Sequence, residues 1–313
     1  YQSINVITES QRIFGLQDFD LIICDEAHRT TGATISGEDE SNFVKIHDDK
    51  YIAGKKRLYM TATPKIFGEN AKIKADKGEV SLASMDDEKT FGNTFFYRGF
   101  GWAVENNLLT DYKVIVLVMD EQQVSNNIQN IFSEGSELKL DDATKMIGCY
   151  KALAKIGLQY SNKESKEDII PMKRALAFCQ NIKSSEIFSS EFSKVVKEYN
   201  SNIAVDEKNK SNMEVELFHV DGTFNAEQRN EKLNWLKEET KEDICRVISN
   251  AKCLSEGVDV PALDAIMFLH PRKSQVDVVQ SVGRVMRKSE GKKIGYVILP
   301  VTVAPGVTAV KSL

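Results

Sequence analysis

Several features that would restrict the type of protein are missing from this sequence. No stretch approaches the roughly eighteen consecutive apolar residues of a membrane-spanning helix. The first residues show neither the basic start nor the apolar core of a secretion signal. A formal net charge of -5 argues against a surface covered with cations for nucleic acid. It is still compatible with a local basic cleft, because phosphate contacts need only a few well-placed cations.

The cysteines and histidines also lack the spacing of a metal site. The five cysteines form no CxxC pair. Cys24, Cys179 and Cys245 lie in or beside apolar runs, as is typical of buried free thiols in a reducing cytoplasm. The four histidines show neither HExxH nor zinc-ribbon spacing. The sequence therefore predicts a cytoplasmic protein with no membrane contact and no metal held by cysteine or histidine.

What is present is typical of a folded protein with two domains. The 313 residues exceed what one hydrophobic core usually organises. Short apolar runs alternate with helical patterns, and most runs lack polar alternation, which favours a parallel sheet covered on both faces. The predicted strands are 20–25, 56–63, 113–120, 174–179, 215–221, 245–250, 263–270 and 294–300.

This order of elements predicts an α/β fold with two doubly wound parallel-sheet domains. We place the division near Tyr112, where a helical pattern gives way to a strand, so that the domains are 1–112 and 113–313.

Local signals add one helix and several loops. A helix is predicted over 225–240, with Asn225 as its cap and Gln228 at the capping-box position. The polar stretches are predicted to be surface loops, namely 30–41, 161–168 and 206–212.

Asp25 and Glu26 end strand 20–25 side by side, at the edge where ligands sit in an open parallel sheet. Magnesium prefers hard oxygen ligands and keeps several waters, so one carboxylate beside substrate phosphates suits it. A second carboxylate can orient and deprotonate an attacking water. Asp25 is therefore a candidate Mg²⁺ ligand and Glu26 a candidate base for phosphoryl transfer. The same two residues would also suit a surface turn in an acidic protein.

Two threonines end a second predicted strand. Thr61 and Thr63 lie in the sequence Thr-Ala-Thr-Pro at the end of 56–63. Their hydroxyls could link the acids to whatever faces them. Because threonine is common at strand ends, these two residues agree with the interpretation of the acids but would not indicate a site by themselves.

The helix predicted over 273–288 carries the most specific pattern. Gln280, Arg284 and Arg287 fall on one narrow face, and apolar residues lie opposite. Gly283 costs the helix roughly 1 kcal/mol relative to alanine and leaves room beside the arginines for a phosphate or another backbone. Fixed guanidinium groups can neutralise charge that develops on a transferred phosphoryl group. An ordinary amphipathic helix would carry surface arginines too, but it would not need this glycine.

Between strand 245–250 and strand 263–270 lies a segment with a glycine and an acid. Gly257 permits a close approach or a positive φ, and Asp259 can accept a hydrogen bond from a ribose hydroxyl or from the arginine helix. A turn glycine followed by a strand-capping aspartate would look the same, so both interpretations stay open.

Taken in order, these residues resemble the motifs of superfamily 2 helicases and translocases. The matching stretches are DEAH at 25–28 (motif II), TAT at 61–63 (motif III), LSEGVDVP at 254–261 (motif V) and QSVGRVMR at 280–287 (motif VI). Further likenesses are at 1–7 (motif Ib), 175–188 (motif IV) and 219–229 (the segment after it).

The resemblance implies two RecA-like domains that close on ATP, with DNA or RNA crossing both. The catalytic residues that it implies are Glu26, Arg284 and Arg287. The implied ATP-binding residues are Asp25, which also holds Mg²⁺, and His28, Thr61, Thr63, Gly257, Asp259 and Gln280. Candidate contacts to the nucleic-acid backbone are Ser3, Ser249 and Ser255.

A finer resemblance is to the motors of single-polypeptide Type I (Type ISP) restriction-modification enzymes. It rests on the amino-acid sequences of residues 100–118 and 249–288. In those enzymes a motor pulls double-stranded DNA between a nuclease and a methyltransferase. The resemblance therefore implies a DNA-dependent ATPase, with nuclease and methyltransferase regions on the parent polypeptide.

One element of the family pattern is missing. Superfamily 2 proteins hold the phosphates with a GxxxxGK loop that continues with serine or threonine. Gly54-Lys55 and Gly291-Lys292 are each followed by lysine instead. We expect the loop to lie upstream of Tyr1 and the first domain to be truncated. Two alternatives stay open: a helicase-like module that binds nucleic acid or a protein without ATPase activity, and an RNA helicase of the same superfamily.

Overall fold

The computed structural model contains two compact units, divided between Tyr97 and Arg98. It describes residues 3–35, 42–77, 80–120, 137–157, 170–202, 211–251, 253–254, 263–272 and 274–303. Among the helices of these residues, none combines the length and the apolar character needed to cross a membrane.

Unit 1, which ends at Tyr97, contains a parallel and an antiparallel pair of strands. Its elements are α1 (Ile4–Phe14), β1 (Ile22–Cys24), β2 (Gly32–Ile35), β3 (Arg57–Tyr59), α2 (Glu69–Lys77), β4 (Val80–Ala83) and α3 (Glu88–Phe91). β1 and β3 are parallel, with Cys24 opposite Tyr59. A small core forms where Ile4 of α1 packs with Cys24 and Ala27. The parallel pair thus brings the observed strand ends, at Cys24 and Tyr59, to the same edge, where the predicted strands 20–25 and 56–63 also end.

The antiparallel pair corrects one prediction. Residues 30–41 were expected to be a loop, but Gly32–Ile35 form β2 and pair with β4, Gly32 opposite Ala83. The pairing partner lies far along the chain, so the local polar composition of 30–41 could not indicate it.

Unit 2 is built on one six-stranded parallel sheet. Its elements are α4 (Phe100–Glu105), β5 (Asp111–Asp120), α5 (Leu140–Leu153), β6 (Arg174–Phe178), α6 (Ile182–Asn202), β7 (Glu214–Val220), α7 (Ala226–Lys237), β8 (Ile244–Asn250), β9 (Ala265–Phe268), α8 (Gln275–Val285) and β10 (Ile294–Val303). The strand order is β5-β10-β9-β6-β8-β7, and every neighbouring pair is parallel.

Helices cover both faces of this sheet. Alternate residues of β6 point to opposite sides: Ala175 packs with α5 and α6, and Leu176 packs with α7 and α8. All five residues of β6 are buried. Because both faces of these strands are covered, they need the continuous apolar runs that the sequence shows. The prediction of a doubly wound α/β fold is confirmed.

The helix before β5 belongs to unit 2. Phe100 and Val104 of α4 pack against the cluster that includes α8, and the ring of Phe100 lies beside Gly283. The sequence placed the division after this helix, at Tyr112, because a strand begins there. Packing against α8 instead moves the start of the compact unit to Arg98.

The predicted capping box of α7 is present. The side chain of Asn225 accepts from the backbone N–H of Gln228 at 2.9 Å, and the side chain of Gln228 accepts from the backbone N–H of Asn225 at 3.0 Å. Two backbone donors that a helix start leaves unsatisfied are thereby bonded, and α7 begins where the sequence indicated.

Candidate functional site

The two acids lie in a tight turn directly after β1. Glu26 has φ 50° and ψ 46°, a left-handed conformation that is unfavourable for a residue with a side chain. The ladder of the parallel pair continues through this turn, because Met60 N–H donates to the carbonyl of Cys24 at 2.9 Å and Ala27 N–H donates to the carbonyl of Met60 at 2.9 Å. The backbone that carries Glu26 is therefore fixed on both sides by Met60, the residue directly after β3.

His28 is the centre of the site in unit 1. Its side chain is buried, and its Nδ1 lies 3.3 Å from Glu26 Oε2 and 3.0 Å from Thr61 Oγ1. Thr63 Oγ1 lies 3.3 Å from the same nitrogen, and Thr63 N–H donates to Thr61 Oγ1 at 3.1 Å. The structure thus brings together four residues that the sequence predicted from two separate strand ends.

One ring nitrogen therefore faces a carboxylate and two hydroxyls. Nδ1 carries at most one hydrogen. When it carries a hydrogen and donates to Glu26, it cannot accept, so the threonine hydroxyl hydrogens must point elsewhere. When it carries no hydrogen it can accept from a threonine hydroxyl, and Glu26 loses this donor. The arrangement can link the state of Glu26 to the position of the Thr61–Thr63 strand end.

Asp25 has the chemistry of a magnesium ligand. Its side chain is exposed, and Oδ1 accepts from the backbone N–H of Glu26 at 2.9 Å. A hard, solvent-accessible carboxylate that is oriented by one hydrogen bond fits a cation that keeps several waters. The residues present are therefore compatible with Mg²⁺ at Asp25.

In unit 2, α8 carries the predicted glutamine and one of the two predicted arginines. The helix begins at Gln275, with Ser274 accepting from the N–H of Asp277 at 3.2 Å, and ends at Val285. Gln280 is half-buried, and Arg284 is only 9% exposed.

Arg287 lies beyond the end of this helix, which corrects the predicted span of 273–288. Its N–H donates to the carbonyl of Arg284 at 3.2 Å, an i to i−3 bond that tightens the last turn. Arg287 is exposed. The two arginines therefore do not continue one regular helical face.

The space beside Gly283 is filled by an aromatic ring. A Cβ at this position would lie 3.5 Å from Phe100 Cζ, an ordinary van der Waals distance. The close neighbour of the glycine is thus α4, and the expected room for a phosphate or another backbone is taken up by this packing.

The remaining predicted residues have different placements. Gly257, Asp259 and Ser255 lie outside the described residues. Ser3 is exposed at the start of α1. Ser249 is fully buried, and its hydroxyl donates to the carbonyl of Ser185 at 2.9 Å. Contact of Ser249 with a nucleic-acid backbone stays a prediction, and in the structure its hydroxyl is used inside unit 2.

A buried polar network at the carboxyl end of β7 was not predicted. His219 Nδ1 lies 2.7 Å from Ser185 Oγ, and Nε2 lies 2.9 Å from Asp221 Oδ2. Asp221 Oδ1 accepts from the N–H of Thr223 at 2.7 Å and from its hydroxyl at 2.6 Å. Glu186 lies close enough to form a potential metal-ligand group with His219 and Asp221. Both ring nitrogens of His219 are already bonded, however, so hydrogen bonding alone accounts for the cluster.

Acid is expected to weaken unit 2 through Asp221. The hydroxyl of Thr223, with His219 and the Thr223 N–H, lowers the pKa of Asp221 from 3.8 to about 2. The charged carboxylate therefore stabilises the fold above about pH 4, and this stabilisation is lost as the pH falls toward about 2. Asp221→Asn should reduce the loss of thermal stability between about pH 6 and about pH 3. Thermal unfolding followed by circular dichroism measures this, with exposed Asp243→Asn as the control. An unchanged pH dependence in Asp221→Asn would contradict the assignment.

Comparisons with known proteins agree with this geometry. Residues 1–66 match the family described as Type III restriction enzyme, res subunit, and residues 162–289 match the helicase conserved C-terminal domain. A probable helicase of African swine fever virus is 25% identical over 300 residues, which cover 92% of this chain and 27% of that protein. The chain thus spans about a quarter of that relative.

A solved structure gives the same result. The ATP-dependent Type ISP restriction-modification enzyme LlaBIII, bound to DNA, superposes with a TM-score of 0.78 at 41% identity. The match covers 98% of this chain and 20% of that one. The two family matches lie at opposite ends of the chain, in the order that the motifs predicted. Together, the family matches and these relatives support a superfamily 2 helicase motor of the restriction-enzyme-like type.

Proposed function

We propose that the parent polypeptide is a cytoplasmic, ATP-dependent motor that moves on double-stranded DNA as part of a restriction-modification enzyme. Its nuclease and methyltransferase regions would lie outside this chain, which spans 20% of the Type ISP enzyme that it resembles. That enzyme is bound to DNA, which supports DNA over RNA as the substrate.

The observation that carries the proposal is the cluster around His28. A buried histidine within 3.3 Å of Glu26, Thr61 and Thr63 joins the candidate base to a second strand end. A motor needs such a link, because hydrolysis must be coupled to movement of other elements. A surface turn that happened to contain two acids would not need a buried partner at the end of β3.

The residues divide the chemistry between them. Glu26 would orient the attacking water and accept its proton at a carboxylate oxygen. Asp25 would hold Mg²⁺, which supplies Lewis-acid neutralisation of phosphate charge when bound. Arg284 and Arg287 would neutralise charge on the transferred phosphoryl group. Gln280, Gly257 and Asp259 are proposed to complete the nucleotide contacts, and Ser3 and Ser255 to contact the nucleic-acid backbone.

The phosphate-binding loop is proposed to lie upstream of Tyr1 in the parent. No GxxxxGK sequence occurs within the 313 residues, and backbone N–H groups of such a loop supply most of the phosphate contacts. The chain Tyr1–Leu313 alone should therefore bind ATP poorly and hydrolyse none.

The test is ATP hydrolysis by the full parent polypeptide, without nucleic acid, with long duplex DNA and with long RNA. We expect a clear rise with duplex DNA only, because coupling to the track raises turnover in a motor. Stimulation by RNA alone would favour an RNA helicase of the same superfamily. No hydrolysis by a folded full-length protein would favour a binding module without ATPase activity. Hydrolysis by the isolated chain would contradict the proposed upstream loop.

A further inference from the structure

The end of α8 is held by groups from outside the helix. Helix ends normally leave carbonyls to be satisfied by water or side chains. Here the carbonyl of Met286 accepts from the N–H of Thr110 at 2.8 Å and from its hydroxyl at 2.9 Å. Thr110 is buried and lies in the turn before β5. One chain segment, far away in sequence, is therefore bonded to the residue just before Arg287.

Lys292 binds the carbonyls on either side of Met286. Its ammonium donates to the carbonyl of Val285 and, at 2.9 Å, to the carbonyl of Arg287. Burial lowers the pKa of Lys292 to about 8, while the carboxylate of Asp264 acts in the opposite direction. Burying this amine costs solvation, and the two carbonyls compensate for part of that cost.

Two further features restrict the same turn. Lys288 donates to the carbonyl of Asn107 at 2.8 Å and to its side-chain oxygen at 2.6 Å. Gly295 of β10 approaches Val285 so closely that a Cβ there would overlap its carbonyl oxygen. The carbonyls of three successive residues, 285 to 287, are thus bonded, and the strand behind them leaves no space for displacement.

This anchoring matters because Arg287 lies past the helix. Residues beyond a helix end are not held by the i to i−4 ladder and fray easily. We propose that Lys292 and Thr110 are positioning residues, which fix the turn after α8 so that Arg287 is placed for catalysis. This inference rests on the proposed ATPase function. The side chains of the lysine and the threonine donate to backbone carbonyls of the turn, and they act through the arginine.

Unit 2 contains a matched comparison. Arg174 is buried and holds the end of α7 in the same way, with Nε donating to the carbonyl of Leu236 at 2.9 Å and Nη2 to that of Glu238 at 2.8 Å. No predicted site residue lies on α7. A substitution of Arg174 should therefore remove the stability that a capped helix end provides without displacing a catalytic group. It serves as the control for a substitution of Lys292.

The experiment uses the parent polypeptide and compares Lys292→Met, Lys292→Arg, Thr110→Val, Arg174→Met and Arg287→Ala. Misplacement of a catalytic group by an ångström can cost about 100-fold, so we expect Lys292→Met to lower kcat about 10-fold. KM for ATP should change less than about 2-fold, since ground-state binding does not use this turn. Lys292→Arg should restore most of kcat, because arginine can donate to both carbonyls. Thr110→Val, which removes one hydroxyl, should lower kcat about 3-fold. This variant tests the inference if Lys292→Met does not fold.

Arg174→Met is expected to lower Tm as much as Lys292→Met but to keep kcat. If kcat is the same in these two variants, and Thr110→Val is unaffected, Lys292 is only structural and the inference is wrong. If the Lys292 and Thr110 variants keep kcat while Arg287→Ala loses it, this inference is wrong and the proposed function still stands. A folded wild-type parent without ATPase activity would overturn the proposed function and this inference with it.

Discussion

Replacing Glu26 with glutamine in the parent polypeptide is expected to lower ATP hydrolysis by about 10²- to 10⁴-fold, the usual contribution of general base catalysis. Glutamine keeps the size of the side chain and can still contact His28, but it cannot accept the proton of the attacking water. ATP binding should be preserved, because the phosphates are held by other groups. Single-turnover hydrolysis and binding of a fluorescent ATP analogue measure the two effects separately.

The control for this variant is Glu69→Gln, which changes an exposed acid of α2 in the same unit. It should hydrolyse ATP at the wild-type rate. Wild-type turnover in Glu26→Gln would remove Glu26 from the mechanism. Loss of ATP binding together with turnover would instead indicate that the left-handed turn after β1 had been disturbed.

Replacing Arg287 with alanine is expected to lower DNA-stimulated hydrolysis by about 10³-fold or more, as removal of an arginine finger does in phosphoryl transfer. Arg287→Lys should recover little, because an ammonium group cannot reproduce the planar, forked donors of a guanidinium. Arg287 is exposed, and substitutions at exposed positions usually change stability by about 0.5 kcal/mol or less, so Tm should change little. Steady-state kinetics with saturating duplex DNA, and thermal unfolding of the same preparations, test both statements.

Lys197→Ala is a suitable control for the arginine variants, because Lys197 is an exposed cation on α6, away from the site. Equal losses in Lys197→Ala and Arg287→Ala would point to general electrostatic attraction of DNA. Retained hydrolysis in Arg287→Ala would leave Arg284 as the candidate for transition-state stabilisation.

Much of the fold could be predicted because its signals are local. Strands such as β6 and β9 are buried on both faces, and their continuous apolar runs show this directly. The capping box at Asn225 is a pattern of two residues three positions apart, and it marked the start of α7. Parallel strands also share a carboxyl edge, so two predicted strand ends that carry polar residues could be recognised as parts of one candidate site.

The parts that could not be predicted depend on distant partners. β2 exists because β4 pairs with it, and no local pattern reports that pairing. The end of α8 at Val285 depends on Thr110 and Lys292, which lie outside the helical pattern. His219 was visible within a recognisable stretch of sequence, but its buried partner Ser185 comes from a different element. A search for a histidine followed two residues later by an aspartate at a strand end would have indicated half of that network.

The left-handed backbone at Glu26 has a consequence for sequence design. Glycine, asparagine and aspartate tolerate such a conformation better than glutamate does. A procedure that chose each residue for folding free energy alone would therefore replace Glu26, and it would return a better-folded protein without the proposed base. At this position, the mismatch between the residue type and its left-handed backbone is itself an indication of the proposed catalytic role.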